Sequence, residues 1–243
     1  MFTSLLRLAI LRLAQYFKGR DYQLDDFLPL SALLELSLRR GMCVIRCVLR
    51  GIEFNPRKLV FIDLGVELRN RKLIKFGKGV TLGRNVLING LSREGVRLGN
   101  NVNIGPYTII EASGSIVNLG KGIEIGDNSG IGGFSYIGGA GGVTIGKNVI
   151  MGQWVGFHPE NHNFDSLDLP IRLQGVNRKG IVVEDDCWVG AKVTFLDGAY
   201  LGKGSVVAAG AVVKGRFPPY SIIGGVPAKL IRSREEKGKV QDA

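Results

Sequence analysis

Histidine and cysteine are scarce in this chain, and their scarcity limits the chemistry available to it. The 243 residues include only two histidines and three cysteines. Cys43 and Cys47 lie four positions apart and Cys187 is distant, so no Cys-x-x-Cys pair is available for a structural zinc ion. We expect three reduced, buried thiols and no metal cofactor.

Long apolar runs and proline are also lacking. No stretch of 18 uncharged apolar residues occurs, so we expect no membrane-spanning helix. Arg7 and Arg12 interrupt the apolar start of the chain and no small-residue cleavage site follows, so we interpret this segment as retained in a cytoplasmic protein. Only 8 residues are proline, whereas 36 are glycine, which is about twice the ordinary share of glycine.

Acidic residues are fewer than basic ones. The chain has 32 Lys and Arg against 21 Asp and Glu, a net charge of +11. Such a balance favours anionic partners such as lipid headgroups and nucleotide phosphates. The aromatic content is only 8%, and no interleaving of arginine with aromatic residues is present, so we expect no nucleic-acid partner.

Residues 1–55 have the pattern of basic amphipathic helices. Apolar residues recur at spacings of three and four over 2–17, and a second apolar run over 28–49 includes a break at Pro29. Two interpretations are open. The helices either lie on an anionic membrane surface or pack as a cap on the domain that follows.

From Phe76 onward an aliphatic or aromatic residue returns every six positions and is usually followed by glycine. A period of six fits neither an α-helix nor a flat strand, but it fits one short strand plus a turn, where glycine supplies positive φ. Three such sides close a triangular coil of 18 residues, and successive coils stack at ~4.8 Å. The repeated pairs include Phe76–Gly77, Leu82–Gly83, Leu98–Gly99, Ile104–Gly105, Ile125–Gly126, Ile131–Gly132, Ile137–Gly138 and Ile145–Gly146.

The six-residue repeat stops between Phe157 and Val183. Both histidines of the chain, His158 and His162, lie inside this gap. A long loop without a repeat of its own is more often functional than decorative. Because a histidine with an ordinary pKa is mostly neutral at pH 7, it suits the removal of a proton from a hydroxyl group. We therefore predict an active-site loop at 158–182.

Two strings near the C-terminus carry a family resemblance. The first is similar to the DxxWIG segment of sugar O-acetyltransferases and runs Asp185–Asp186–Cys187–Trp188–Val189–Gly190–Ala191. The second is similar to their C-terminal signature and runs Gly224–Gly225–Val226–Pro227–Ala228–Lys229. Together with the repeat, residues 70–233 resemble the hexapeptide-repeat acyltransferases, in the sugar or polysaccharide O-acetyltransferase branch.

The resemblance implies the fold and the assembly. It implies an all-β fold, a left-handed parallel β-helix of hexapeptide repeats, with the helical segment in front of it. We predict a basic helical segment at 1–55, the β-helix at 56–233 and a polar tail at 234–243. The resemblance also implies a homotrimer whose active sites lie between subunits.

The resemblance further implies transfer of an acetyl group from acetyl-CoA to a hydroxyl group. Counted from Asn148, the family's catalytic histidine falls on His162, which is the predicted general base. The other predicted substrate-binding residues are His158, Asp165, Arg172 and Trp188. The predicted CoA-binding residues are small or basic: Gly190, Ala191, Ala208, Ala209, Gly210, Lys214, Lys229 and Arg232.

Several alternatives compete with this assignment. The γ-class carbonic anhydrases share the coil but need three zinc-binding histidines per site, and this chain has two in total. An N-acetyltransferase of an amino sugar, a xenobiotic acetyltransferase and a β-helical scaffold at the membrane surface stay open. Gly132 and Ala191 stand where some family members have an Asn and a Ser, so the acceptor does not carry over. The favoured prediction is an O-acetyltransferase of a sugar hydroxyl in surface polysaccharide (O-antigen) or lipid-linked glycan assembly, located at the inner face of the cytoplasmic membrane.

Overall fold

The chain has two helices followed by a long series of short strands. The computed structural model describes residues 2–19, 22–51 and 58–236. Helix α1 spans Phe2–Lys18 and helix α2 spans Leu30–Leu49. The predicted fold class, an all-β parallel β-helix of hexapeptide repeats preceded by a helical segment, is confirmed. The domain boundaries stay predictions, and the junction at 52–57 and the tail from 237 onward lie outside the described residues.

Each turn of the coil contributes one strand to each of three sheets, which we call the first, second and third faces. The first face comprises β1 (Phe61–Ile62), β4 (Thr81–Leu82), β7 (Asn103–Ile104), β10 (Gly130–Ile131), β13 (Ile150–Met151), β18 (Trp188–Val189), β21 (Val206–Val207), β24 (Ser221–Gly224) and β25 (Lys229–Ser233). The second comprises β2 (Glu67–Arg69), β5 (Leu87–Asn89), β8 (Ile109–Glu111), β11 (Tyr136–Gly138), β14 (Gly156–His158), β19 (Thr194–Leu196) and β22 (Val212–Val213). The third comprises β3 (Ile74–Phe76), β6 (Val96–Leu98), β9 (Ile123–Ile125), β12 (Val143–Ile145), β17 (Ile181–Val183), β20 (Tyr200–Leu201) and β23 (Arg216–Phe217).

The length of the coil varies along the chain. Trp188 pairs with Val206, which is the sequence separation that three six-residue sides predict. Asn103 pairs with Gly130 across a longer coil. The longest coil runs from Ile150 to Trp188, two residues that pair with each other. It is the longest because it contains the interruption of the repeat. The additional residues leave the stack as loops, and the strands on either side of each loop still pair in parallel.

Inward-pointing side chains fill the coil. On the second face Ile88, Ile110, Ile137, Phe157 and Phe195 occupy equivalent positions on successive coils, and all five are fully buried. The last two rings stack with their centroids 4.6 Å apart. Because burial of apolar surface drives folding, one inward side chain per strand accounts for the period of six.

The glycines that follow the repeated aliphatic residues have a different role from the predicted one. We expected positive φ angles at these positions, but Gly132 and Gly152 are not among the residues with positive φ. A Cβ atom on Gly132 would lie 2.2 Å from the carbonyl oxygen of Gly152 in the next coil. Close approach between coils therefore excludes a side chain here. Asparagines take positive φ at several corners: Asn70, Asn85, Asn101, Asn128 and Asn148.

Helix α2 packs on the first coil through its arginines. Arg39 and Arg46 both form ion pairs with the carboxylate of Asp63, which follows β1. Arg40 donates a hydrogen bond to Oγ1 of Thr81 at 2.8 Å. These contacts support the interpretation of α2 as a cap on the β-helix. Neither described helix is both long and apolar enough to cross a membrane.

Two neighbouring isoleucines on β8 test which side chains of this strand point into the coil. Ile110 is fully buried, whereas Ile109 is 42% exposed. We expect Ile110→Ala to lower the free energy of unfolding by about 2–5 kcal/mol, because it removes a buried side chain and leaves a cavity. Ile109→Ala is the matched control and should change it by roughly 1 kcal/mol or less. Denaturant unfolding measures both, and equal losses would contradict the assigned strand orientation.

Candidate active site

The predicted active-site loop leaves the coil after β14 and returns at β17. It contains a small antiparallel hairpin in which β15 (Asn161–His162) pairs with β16 (Val176–Asn177). A 3₁₀ turn at Ile171–Leu173 lies between the two strands. The loop is therefore a folded excursion from one coil, although nothing in the sequence pattern predicted this hairpin.

Amide side chains hold the hairpin together. The Nδ2 atom of Asn163 donates to the carbonyl oxygen of Gln174 at 3.0 Å, and Asn177 donates to Oδ1 of Asn163 at 3.0 Å. The Nε2 atom of Gln174 donates to the carbonyl oxygens of Ser166 and Leu169 at 2.8 and 2.7 Å. Since these bonds satisfy backbone groups inside the loop, they fix the backbone on which His162 sits.

His162 projects into solvent from this hairpin. Its side chain is exposed, and its backbone is paired with Val176. Asp165 and Arg172 are exposed as well. Within residues 58–236, no hydrogen bond or ion pair joins either of them to the His162 imidazole. Their predicted roles in substrate binding stay predictions.

His158 occupies a different environment. It ends β14 on the outside of the second face, and its ring stacks on Tyr136 with centroids 5.5 Å apart. A Cβ atom on Gly156 would lie 3.0 Å from Nε2 of His158, so the imidazole lies close against that glycine. Burial, followed by the negative charges of Glu111 and Glu160, raises the pKa of Tyr136, which keeps its hydroxyl protonated.

Trp188 lies on the outer surface of the first face. Its side chain is 58% exposed, and its backbone pairs with Ile150 and Val206. The preceding residue, Cys187, points inward and is buried. Burial raises the pKa of this thiol to about 11. The exposed indole is accessible from solvent, and its contact with the acceptor stays a prediction.

The small predicted CoA-binding residues lie together on the corner between the first and second faces. A Cβ atom on Gly190 would lie 2.6 Å from the backbone nitrogen of Ala209 in the next coil. The N–H of Gly210 donates to the carbonyl oxygen of Ala191 at 2.9 Å. Ala208 precedes these residues on the same corner. The structure therefore brings all five together, and their contact with CoA stays a prediction.

The basic residues predicted to bind CoA phosphates lie toward the C-terminal end. Lys229 and Arg232 are exposed on β25, which pairs antiparallel with β24. Lys214 is exposed directly after β22. Across the described ranges no group of three His, Cys, Asp or Glu side chains is arranged to hold a metal ion.

An aromatic stack that was not predicted from the sequence lies on this same corner. The ring of Phe134 stacks between Tyr107 and Trp154, with centroid distances of 5.0 and 4.8 Å. All three residues have positive φ, a conformation uncommon for bulky side chains. Gly152 precedes Trp154 by two positions and approaches Ala191 of the next coil, which places the stack in line with the small residues. The spacing of the sequence indicates this stack, because each of the three aromatic residues follows a repeat glycine by two positions.

Comparison with known proteins finds similar transferases. The family described as Bacterial transferase hexapeptide (six repeats) matches residues 180–215. A Mycobacterium tuberculosis protein named as an acetyltransferase is 38% identical over 93 residues, 38% of this chain and 31% of its own length. WbbJ of Escherichia coli, whose name describes a lipopolysaccharide biosynthesis O-acetyl transferase, is 26% identical over 219 residues, 86% of this chain and 97% of WbbJ. The chain is similar to the hexapeptide-repeat acyltransferases over these stretches.

Both relatives are named as acetyltransferases. The match spans about a third of the mycobacterial relative's length, whereas it spans nearly all of WbbJ. Among solved structures, a mutant of AntD, an N-acyltransferase from Bacillus cereus in complex with dTDP and coenzyme A, is 18% identical. That alignment covers 72% of this chain and 81% of AntD, with a TM-score of 0.47.

The Cys187 thiol should be unreactive in the folded chain. A pKa raised from 9.0 to about 11 lowers the thiolate fraction near pH 8 by about 100-fold. We expect slow alkylation by iodoacetamide in native buffer and fast alkylation in denaturant, measured by mass spectrometry on a Cys43→Ser/Cys47→Ser variant. Native labelling at the denatured rate would contradict the assignment.

The same shift predicts a pH dependence of stability. The unfolded thiol ionises near its ordinary pKa of 9.0, whereas the folded thiol ionises near 11. The contribution of Cys187 to the free energy of unfolding is therefore complete below pH 9 and is lost as the pH rises toward 11. Denaturant unfolding across this range measures the loss, with Cys187→Ala as the control that should not show it.

Proposed function

We propose that this chain is an acyltransferase that moves an acetyl group from acetyl-CoA to a sugar hydroxyl, in surface polysaccharide or lipid-linked glycan assembly. The observation that carries the proposal is His162, an exposed imidazole on a hairpin with a fixed backbone in a chain similar to these acyltransferases. The similarity to WbbJ, which spans 97% of that protein, supports O-acetylation in particular.

His162 acts as the general base in the proposed mechanism. Its neutral imidazole accepts the proton of the acceptor hydroxyl while that oxygen attacks the thioester carbonyl carbon. The resulting tetrahedral oxyanion accepts a hydrogen bond from a backbone N–H. When the carbon–sulfur bond breaks, the imidazolium returns the proton to the departing CoA sulfur. No net proton change remains on the enzyme.

The buried cysteines support direct attack over a covalent acyl-enzyme. Burial raises the pKa values of Cys43, Cys47 and Cys187. A nucleophilic cysteine needs an accessible thiolate, which these buried thiols do not offer. The acetyl group therefore passes from CoA to the acceptor in one transfer.

The remaining predicted residues have roles in the same proposal. The corner formed by the small residues holds the pantetheine arm, and the three basic residues pair with CoA phosphates. Trp188, Asp165 and Arg172 bind the sugar together with His158. Because His162 lacks a side-chain partner among the described residues of its own chain, we include a homotrimer in which a neighbouring subunit completes each site.

We also propose that the chain acts at the inner face of the cytoplasmic membrane. The outward side of α2 carries leucine and isoleucine, with Leu38 72% and Leu49 81% exposed. The arginines of α2 contact the β-helix instead. The proposed membrane contact is therefore mainly apolar, made by an interfacial helix.

A liposome experiment tests the membrane contact. We expect Leu38→Glu/Leu49→Glu to abolish flotation of the full chain with anionic vesicles, because two charges would enter the apolar face. Leu167→Glu is the matched control, since Leu167 is 98% exposed in the active-site loop. A double variant that floats like the wild type would remove this part of the proposal.

Turnover of two histidine variants tests the mechanism. We expect His162→Ala to lower kcat by about 100- to 10,000-fold, the usual share of general base catalysis. His158→Ala should mainly raise the KM for the acceptor, because its predicted role is substrate contact. Thiol release from acetyl-CoA, screened against pyranosides, amino sugars and polyprenyl-linked glycans, provides the measurement.

Calorimetry with acetyl-CoA provides the control. His162→Ala should bind acetyl-CoA as the wild type does, because the proposed donor site lies outside the loop. Near-normal turnover of His162→Ala would show the mechanism to be wrong. A wild-type chain that binds no acetyl-CoA would favour the scaffold alternative, and acetylation of amino sugars alone would favour an N-acetyltransferase.

A further inference from the structure

A buried carboxylate lies at the base of the active-site loop. We call this base, where residues 159–161 leave the coil and residues 178–180 return to it, the neck. Asp197 follows β19 in the coil after the loop, and it is only 6% exposed. Its carboxylate accepts hydrogen bonds from the backbone N–H groups of Lys179 and Gly180, each at 2.8 Å. It also accepts a hydrogen bond from Nδ2 of Asn161 at 3.3 Å.

These three donors come from the two ends of the loop, which we call its outgoing and returning legs. Asn161 lies on the outgoing leg and is the residue before His162. Lys179 and Gly180 lie on the returning leg, directly before β17. A single carboxylate therefore ties the start and the end of the excursion to the coil that follows it. Hydrogen bonds from N–H groups to a buried carboxylate are among the strong ones in proteins.

The neck also has little space in which to shift. A Cβ atom on Gly141 would lie 2.1 Å from the carbonyl oxygen of Pro159 and 3.1 Å from the nitrogen of Gly180. The two legs therefore rest directly on the backbone of the preceding coil. Asp197 secures them from the next coil, so the neck is held from both sides.

A second tie holds the outer side of the loop. Nε of Arg178 forms an ion pair with Oε2 of Glu160 at 2.6 Å, and both side chains are partly buried. The same guanidinium donates to the carbonyl oxygens of Asn118 and Leu119 at 3.2 Å. This tie acts on Glu160 and Arg178, whereas the Asp197 tie acts on the residue next to the histidine.

We propose that Asp197 is a positioning residue for acyl transfer, which sets where the hairpin leaves the coil and thereby where the His162 imidazole meets the acceptor hydroxyl. The inference rests on the proposed function of His162. Nothing places Asp197 in contact with a substrate, and its effect passes through Asn161 to the neighbouring histidine.

The test uses an isosteric variant and a matched control. Asp197→Asn keeps the size of the side chain and the oxygen Oδ1. Its NH₂ group replaces Oδ2, which accepts from Asn161 at 3.3 Å and from Lys179 at 3.0 Å, and an NH₂ group cannot accept these two bonds. Asp127→Asn is the control. Asp127 also accepts a backbone N–H from another coil, that of Asn100 at 2.6 Å, but it contacts no residue of the loop among those described.

Kinetics separate positioning from a general loss of stability. We expect Asp197→Asn to lower kcat by about 10- to 100-fold, as a misplacement of about 1 Å does. The KM for acetyl-CoA should stay within about twofold, because the proposed donor corner is outside the loop. Asp127→Asn should keep kcat. In a His162→Ala background, Asp197→Asn should cause no further loss of turnover, since its effect requires the imidazole.

Limited proteolysis reports the tie independently of activity. Trypsin should cleave after Arg172 faster in Asp197→Asn than in the wild type or in Asp127→Asn, because a released loop opens more often. If kcat of Asp197→Asn stays within twofold of the wild type while His162→Ala is impaired, the inference about Asp197 is wrong. If His162→Ala itself keeps normal turnover, the proposed function fails instead, whatever the proteolysis shows.

Discussion

The backbone hydrogen bonds between successive coils are the interaction on which the rest of the structure depends. Each short strand is unstable alone, and its N–H and C=O groups find partners only in the coils on either side. A stack of this kind has two open ends. At the N-terminal end α2 packs on β1 through its arginines, and at the C-terminal end β25 turns back antiparallel along β24. Both devices cover strand edges that would otherwise pair with another chain.

The period of six was sufficient to predict the coil, because one inward residue per strand is a constraint that appears directly in the sequence. Ile110 and Ile137 are buried for the reason the pattern indicates. The role of glycine was predicted incorrectly, since the close approach of Gly132 involves Gly152, which belongs to the next coil. A distance between residues of two successive coils cannot be predicted from the residues around either one.

The candidate site was only partly predictable, for the same reason. The interruption of the repeat located the loop and both histidines. The hairpin that holds His162 depends on Asn163 and Gln174, polar residues that look like ordinary loop residues in the sequence. Asp197 stands before a glycine with positive φ and has the appearance of a simple turn. Its contacts with the loop arise only when the next coil is stacked in place.

The direct pairing of Ile150 with Trp188 has a consequence for how such proteins diversify. The two strands are adjacent although the entire loop separates them along the chain, so the whole excursion begins and ends within one coil spacing. The entropy of closing a loop rises only slowly with its length. The length of the loop can therefore change at a small cost in free energy while Ile150 still pairs with Trp188. Changes in the loop can therefore leave the stability of the coil unaffected.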